Sequence, residues 1–312
     1  MVTVSPTGTP QSPEPTAASR SVPRGLLQVA RPKQWLKNVL VFAAPGAAGV
    51  LHHRADLLPA VGAFVVFCLA ASGTYFVNDT FDAAADRLHP VKRNRPVAAG
   101  VVSPPLALAT GATLVAAALA IAGGLIGWRL AVVVALYVAV VVLYSVRLKH
   151  EPILDLGCVV AGFVLRAIAG GVATGVPLTN WFLIVTTFGS LLVVAGKRSA
   201  EHADLGGGRA AVRRTLGAYP PAFLRSVRVV SAAVLLMAYC QWAFERGAVL
   251  AHGHHTLWFE LSIVPVVLAV LHLELRFESG HGAAPEDLAT GDRLLQVLGL
   301  LWVALFAIGI YA

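Results

Sequence analysis

Residues 78–96 read NDTFDAAADRLHPVKRNRP and join three aspartates at the end of a hydrophobic segment to a run of basic residues. Asp79, Asp82 and Asp86 are spaced so that a helix through them places their carboxylates on one stripe, which Asn78 also joins. Hard divalent cations take oxygen ligands, and Mg²⁺ typically combines one or two carboxylates with substrate phosphate oxygens. The stripe therefore predicts a magnesium site made of Asn78, Asp79, Asp82 and Asp86, with the three aspartates also as catalytic residues.

Basic side chains follow the acid stripe at once: Arg87, His89, Lys92, Arg93 and Arg95. Cations beside carboxylates suit an anion that is already bridged to a metal ion. The alternative is an ordinary solvated helix end, stopped at Pro90 and Pro96. The position of this stretch at a membrane border favours the first interpretation, with Lys92, Arg93 and Arg95 as substrate-binding residues.

The composition is that of a multi-pass membrane protein. In 312 residues, 57% are hydrophobic and 13% are charged, and the mean hydropathy is +0.74. Apolar spans are predicted at 38–51, 57–78, 101–123, 128–146, 152–176, 181–197, 228–246, 256–275 and 294–312. The predicted fold class is an all-α bundle of nine transmembrane helices within residues 24–312. Residues 1–23, rich in Pro, Ser and Thr, are expected to form a disordered cytoplasmic tail.

The distribution of Lys and Arg predicts the orientation. With the N-terminus in the cytoplasm, the outer loops hold only Arg54, Arg129 and Arg246 and Arg166 lies inside a helix, so 20 of 24 basic residues fall on the inner side. The expected location is the plasma membrane, with the candidate chemistry at the cytoplasmic face. Nucleic acid is not an expected partner, despite the net charge of +8, because the basic residues are sorted by membrane side. A homo-oligomer is compatible with this interpretation.

Three further segments carry polar residues to the same side. Residues 31–45, RPKQWLKNVLVFAAP, offer Lys33 and Lys37 as phosphate ligands, although a plain positive-inside flank is an equal alternative. Residues 144–155, YSVRLKHEPILD, offer a hydroxyl, a cation and an acid for substrate binding: Tyr144, Lys149 and Asp155. Residues 197–201, KRSAE, offer Lys197, Arg198 and Glu201 as catalytic residues.

Arg166 is an arginine within a hydrophobic span, where an unpaired charge is costly. Two roles are open for it: an ion pair inside the bundle, with Glu260 as the candidate partner, or contact with a substrate phosphate. The small residues around it, among them Gly162 and Gly170, indicate that helices pack closely there.

Acids and cations gathered at one membrane face suit a substrate whose leaving group is a diphosphate, with Mg²⁺ neutralising the charge that develops. A lipid acceptor entering between helices would attack without an enzyme nucleophile. Prenyl diphosphate and phosphoribosyl diphosphate both fit as donors. The excess of inner cations favours the second, which carries phosphate at both ends. A transporter is a weaker alternative, because intramembrane charge is sparse apart from Arg166.

The pattern NDxxDxxxD, present as Asn78, Asp79, Asp82 and Asp86, resembles that of the UbiA superfamily of intramembrane prenyltransferases. The resemblance covers nearly the whole chain after the tail. Together with RPKQWLKNVLVFAAP, DRLHPVKRNRP, YSVRLKHEPILD, LRAIAG and KRSAE, the pattern is similar to the phosphoribose-transferring branch of that superfamily. This resemblance implies Mg²⁺-dependent transfer of 5-phosphoribose from phosphoribosyl diphosphate to a polyprenyl phosphate, with release of pyrophosphate. The second DxxxD motif of typical prenyltransferases is not evident, and KRSAEHAD stands near its expected place.

Overall fold

The computed structural model describes residues 21–204, 217–249, 255–280 and 291–311 of the chain. In this part the regular structure is helical. Eleven α-helices are present: α1 Val22–Ala30, α2 Ala43–Ala48, α3 Arg54–Leu88, α4 Pro104–Ile121, α5 Trp128–Val146, α6 Leu154–Thr174, α7 Asn180–Asp204, α8 Pro221–Val249, α9 His255–Leu261, α10 Ile263–Glu278 and α11 Arg293–Tyr311. Short 3-10 helices cover Pro32–Phe42, Lys92–Asn94 and Leu148–His150, and a π-helical turn covers Ala122–Ile126.

Eight helices of the described ranges are long and apolar enough to cross a membrane. The predicted all-α membrane bundle is thus confirmed, and the predicted count of nine agrees approximately. The first predicted span, 38–51, consists of the end of the 3-10 helix Pro32–Phe42 followed by α2, with Pro45 inside α2. The chain is also helical from Val22, so the last two residues of the predicted tail belong to α1, where proline suits the first turn. Residues 1–20 lie outside the described part, and the disordered tail stays a prediction.

Helix α3 is the central element, and it packs against α4, α5, α6 and the 3-10 helix Pro32–Phe42. Its 35 residues exceed the length needed to cross a bilayer, so it carries the aspartate stripe beyond the apolar span. The alanines at 83–85 favour a continued helix there. Helix α3 ends at Leu88, and His89 is extended, as expected for a residue that precedes proline. The sequence pattern therefore places Asp79, Asp82 and Asp86 on one helix, as predicted.

Glycines allow two close approaches within the bundle. A Cβ at Gly73 of α3 would lie 2.8 Å from the carbonyl oxygen of Gly111 in α4, so the two backbones touch directly. A Cβ at Gly170 of α6 would collide with the carbonyl group of Val41. The second contact lets the 3-10 helix Pro32–Phe42 pack tightly on α6. This packing also positions the residues that precede the 3-10 helix.

Ser72 fixes the start of the same 3-10 helix on α3. The Ser72 hydroxyl accepts a hydrogen bond from the Trp35 indole at 3.0 Å and donates one to the Ala30 carbonyl at 3.0 Å. Between these two contacts, Arg31 adopts a left-handed conformation with φ 51°, which is uncommon for a residue other than glycine. The chain thereby turns sharply at Arg31 and directs this segment along α3.

Replacing Gly170 by alanine is expected to destabilise the protein, because the new methyl group has no room against the Val41 carbonyl. Overpacking of this kind costs about 1–3 kcal/mol. Thermal unfolding of the purified protein in detergent measures the effect. Gly124→Ala is the matched control, because a Cβ at Gly124 meets no heavy atom within 4 Å. Equal melting temperatures for the two variants would contradict this account of the contact.

Candidate active site

The three aspartates of α3 face cations from three other segments of the chain. Asp79 Oδ1 lies 2.5 Å from a guanidinium nitrogen of Arg31 and 3.5 Å from one of Arg95. Asp86 Oδ2 lies 2.8 Å from the same nitrogen of Arg95, and Asp82 Oδ1 lies 2.5 Å from Lys149 Nζ. The carboxylate repulsion along the stripe is therefore offset by direct ion pairing.

Burial differs among these carboxylates. The side chains of Asp79 and Asp86 are only 2% and 6% exposed, whereas that of Asp82 is 25% exposed. Their cationic partners keep access to solvent, because Arg31 and Arg95 are 27% and 28% exposed. The site therefore combines two buried acids, Asp79 and Asp86, with partly exposed cations, an arrangement open to an anionic ligand.

Arg31 is a site residue that the sequence analysis missed. Its guanidinium also lies over the Tyr75 ring, 4.9 Å from the ring centroid, one helical turn before Asp79. The left-handed turn at Arg31 and the Ser72 anchor bring it there. In the sequence, Arg31 is simply the first residue of RPKQW, directly after α1. That position does not by itself indicate an aspartate partner.

Asp155 forms a second cluster with Tyr144, Arg198 and Glu201. The Arg198 guanidinium donates to both oxygens of Asp155, at 2.9 and 3.0 Å, and to Glu201 at 2.7 Å. The Tyr144 hydroxyl donates to Asp155 at 3.0 Å. Arg198 and Asp155 are 5% and 1% exposed, so this bidentate pair is a fixed internal element. The structure thus brings together four residues that the sequence placed in two separate motifs.

The loop between α5 and α6 connects the two clusters, since it carries Lys149 at one end and leads into Asp155 at the other. Ile153 in this loop has a positive φ of 69°, and its backbone N–H donates to the Tyr219 hydroxyl at 2.8 Å. A β-branched residue in this conformation is strained. Tyr219 therefore holds a strained turn beside the site, a role without a sequence signal.

The remaining predicted site residues lie on the same segments as the paired ones. Asn78, Lys37, Lys92 and Lys197 are half-buried, while Lys33 and Arg93 are exposed. His89 shapes the basic turn, because its Nδ1 accepts the backbone N–H groups of Val91 and Lys92. The roles proposed for all of these residues in catalysis and substrate binding stay predictions.

Arg166 pairs inside the bundle with different residues from the one suggested by the sequence. Its guanidinium donates to Asn38 Oδ1 at 2.7 Å, to the Gly162 carbonyl at 2.7 Å and to the Tyr137 hydroxyl at 2.9 Å. Glu260, the suggested partner, is an exposed residue of α9, and that suggestion is corrected. The partners of Arg166 could not be predicted from the sequence, because they are neutral acceptors from three different elements: Asn38, Gly162 and Tyr137.

The acid stripe offers oxygen ligands of the kind that a magnesium ion takes. Within the described ranges, no three His, Cys, Asp or Glu side chains converge closely enough to hold a metal ion alone. Mg²⁺ needs only one or two protein carboxylates when substrate phosphates complete its shell. The ion pairs use one oxygen each of Asp79, Asp82 and Asp86. The donor chemistry therefore fits a metal ion that binds together with a phosphate ligand.

Comparisons with known proteins identify the family of this chain. Residues 39–290 match the UbiA prenyltransferase family. Decaprenyl-phosphate phosphoribosyltransferase of Mycolicibacterium smegmatis is 42% identical over 309 residues, covering 96% of each chain. The protein of that name from Mycobacterium tuberculosis is 44% identical over 284 residues, covering 90% of this chain and 92% of the relative. The present chain belongs to the UbiA prenyltransferase family and is an integral membrane protein.

A solved structure supports the fold. The UbiA homolog from Archaeoglobus fulgidus bound to GPP and Mg²⁺ superimposes with a TM-score of 0.68 and 17% identity, covering 91% of this chain and 98% of that chain. The expected UbiA-type bundle is confirmed by this likeness. The ligands of that homolog are its own, and the identity is too low to transfer them residue by residue.

Substituting Asp155 with alanine is expected to destabilise the protein strongly, because Arg198 would be left buried with one remaining acid partner. Removing one member of a buried ion pair costs about 3–5 kcal/mol. Chemical or thermal unfolding in detergent measures this loss. Glu201→Ala is the matched comparison, since Glu201 is 25% exposed and its removal leaves the Asp155 pair intact. A larger loss for Glu201→Ala than for Asp155→Ala would contradict the central role of the buried pair.

Proposed function

We propose that the chain transfers 5-phosphoribose from phosphoribosyl diphosphate to a polyprenyl phosphate such as decaprenyl phosphate, releasing pyrophosphate. The enzyme is then a pentosyltransferase that supplies an arabinose precursor for cell-wall arabinan. One structural observation carries the proposal: buried acids of α3 and cations of three other segments meet at one end of an apolar bundle. The full-length similarity to decaprenyl-phosphate phosphoribosyltransferases supports the same reaction.

The cation layer suits a donor with phosphate at two positions. Arg31, Arg95 and Lys149 come from separate segments and remain partly exposed, so they can contact more than one phosphate group. Arginine and lysine are the residues that bind phosphate oxygens most strongly. Lys33 and Lys37 follow Arg31 along the chain, and Lys92 and Arg93 precede Arg95, so the same segments carry further cations. A prenyl diphosphate has one charged end and needs fewer of them.

The chemistry requires no covalent bond to the enzyme. A phosphate oxygen of the lipid attacks C1 of the ribose, the bond from C1 to the pyrophosphate oxygen breaks, and the configuration at C1 inverts. Arg31, Arg95 and Lys149 bind the phosphates and orient C1 towards the lipid. Tyr144 and Arg198 hold Asp155 in one position, Glu201 pairs with Arg198, and Lys197 lies on the same helix end as Arg198.

Mg²⁺, when bound, supplies positive charge that stabilises the departing pyrophosphate. Asn78, Asp79, Asp82 and Asp86 would hold it. Arg31, Arg95 and Lys149 already pair with these aspartates. The same cations would contact the oxygens of a pyrophosphate that binds beside the aspartates.

The location proposed for the protein is the plasma membrane, with the N-terminus and the site in the cytoplasm. The asymmetry of Lys and Arg supports this orientation. A cytoplasmic site would face the compartment in which sugar diphosphates are made, and the apolar helices would admit the lipid acceptor from the bilayer.

The proposal is tested by incubating purified protein with Mg²⁺, labelled phosphoribosyl diphosphate and polyprenyl phosphate, and then extracting the lipids. We expect a labelled lipid, lost when EDTA replaces Mg²⁺. Labelled prenyl diphosphate with an aromatic acceptor should give no product. Product only from the prenyl donor would overturn the proposal in favour of an aromatic prenyltransferase, and uptake into sealed vesicles without product would indicate a transporter.

Asp79→Ala is expected to abolish turnover while the protein stays folded, because the variant loses a metal ligand and the partner of Arg31. Asp56→Ala, at the opposite end of α3, is the matched control and should keep wild-type turnover. Size-exclusion chromatography of both variants checks folding. Full activity in a folded Asp79→Ala protein would remove the metal role from this residue.

A further inference from the structure

A third cluster of charged residues, distinct from the aspartate stripe and from the Asp155 cluster, lies between the ends of α7, α8 and α10. It surrounds a cavity of about 450 Å³ whose lining includes Ser199, His202, Arg225, Arg228 and Glu278. Arg228 is 2% exposed, and its buried Nε makes no hydrogen bond, although it lies 3.5 Å from a carboxylate oxygen of Glu274. A buried guanidinium with an unsatisfied donor is costly, and such a group marks a place where an acceptor can bind.

Below this cavity lies a larger apolar groove of about 780 Å³ between α7, α8, α10 and α11. Its lining is almost wholly hydrophobic, with Leu192, Val270 and Trp302 among its residues. Leu300 and Val303 on its rim are 71% and 52% exposed, so the groove opens to the side of the bundle. In a membrane, that side faces the hydrocarbon of the bilayer.

Phe277 joins the two spaces, because its ring lines both the charged cavity and the apolar groove. The Arg228 guanidinium lies over this ring, 5.8 Å from the centroid. A charged compartment thus sits directly at the end of a hydrocarbon-lined one. A charged cavity that continues into an apolar groove suits a molecule with an anionic head and a long apolar tail.

We propose that these two compartments together form a binding site for a lipid phosphate monoester, with the phosphate at Arg228 and the hydrocarbon chain along α10 and α11. The inference rests on the proposed function in one respect: a polyprenyl phosphate, the acceptor class, is a lipid of this chemistry. Ser199 and His202, which line the cavity, follow Arg198 on α7, so the same helix end carries both the cavity lining and a member of the Asp155 cluster.

A phosphate head group would bind in this cavity by replacing a carboxylate that now pairs with the arginines. Arg225 and Arg228 both pair with Glu278, and Arg228 also lies 3.5 Å from Glu274. Glu278 is 41% exposed, so its carboxylate can be hydrated if a phosphate takes its place. A phosphate offers more acceptor oxygens than one carboxylate and can satisfy the Nε of Arg228 as well. An uncharged lipid alcohol offers one acceptor oxygen and no charge, so it would bind these donors more weakly.

Photocrosslinking tests the site with the purified protein in lipid nanodiscs. The probe is a polyprenyl monophosphate with a diazirine on its chain, and the comparison probe is the corresponding polyprenol without phosphate. We expect the phosphate probe to label peptides of α10 and α11 about tenfold more than the alcohol, because charge-assisted hydrogen bonds hold the phosphate at Arg228. Equal labelling by both probes would show a general lipid-facing surface and overturn the proposal.

Two variants address the two compartments. Gly299→Leu fills the groove without touching the backbone, because a Cβ there meets no heavy atom within 4 Å, and Arg228→Met removes the buried cation. Both should lower the labelling of α10 and α11 by the phosphate probe. Gly124→Leu and Arg129→Met, far from the groove, are the matched controls and should label as the wild type does. Undiminished labelling in folded Gly299→Leu would overturn the proposal even if Arg228→Met fails to fold.

The product assay run in parallel separates this inference from the proposed function. Selective labelling of α10 and α11 without any labelled phosphoribosyl lipid would contradict the proposed reaction and support the lipid site. Product formation without selective labelling would contradict the lipid site alone.

Discussion

Three carboxylates on one face of a single helix can be packed at the end of a membrane bundle only if cations meet them. The partners of Asp79, Asp82 and Asp86 come from positions 48, 67 and 9 residues away, in three different segments. Each ion pair thereby ties α3 to another part of the chain: the junction after α1, the loop between α5 and α6, and the basic turn before α4. The geometry of this end of the protein follows from satisfying one repulsive stripe.

Burying these charges has a cost that stability alone does not explain. An ion pair taken out of water recovers little more than its desolvation penalty, and apolar residues of similar volume often stabilise a protein better. Here Asp79, Asp86, Asp155 and Arg198 are all nearly inaccessible. By contrast, the body of the bundle is held by apolar packing and close glycine contacts such as Gly73 with Gly111. The concentration of costly charge at one end is understandable if a highly charged substrate binds there.

The sequence predicts the elements that depend on local pattern. Hydropathy identifies the spans, and the spacing of Asp79, Asp82 and Asp86 identifies a continued helix and its polar stripe, both as found. The first span is less regular than predicted because Pro32–Phe42 forms a 3-10 helix and Gly170 lets it pack on α6. Arg31 and the Arg166–Asn38 contact were missed because they depend on a backbone turn and on a partner 128 residues away. Such contacts are set by tertiary packing, which periodicity does not encode.

In the proposed function, the aspartate stripe and its cations bind the donor through magnesium. Equilibrium binding of phosphoribosyl diphosphate to the purified protein, measured by calorimetry with Mg²⁺ and with EDTA, tests it most directly when wild type, Arg31→Met and Arg129→Met are compared. The account predicts Mg²⁺-dependent binding that weakens about tenfold or more in Arg31→Met, as for loss of one charged hydrogen bond, and is unchanged in Arg129→Met. Equal affinity without Mg²⁺, or an unaltered affinity in folded Arg31→Met protein, would contradict it.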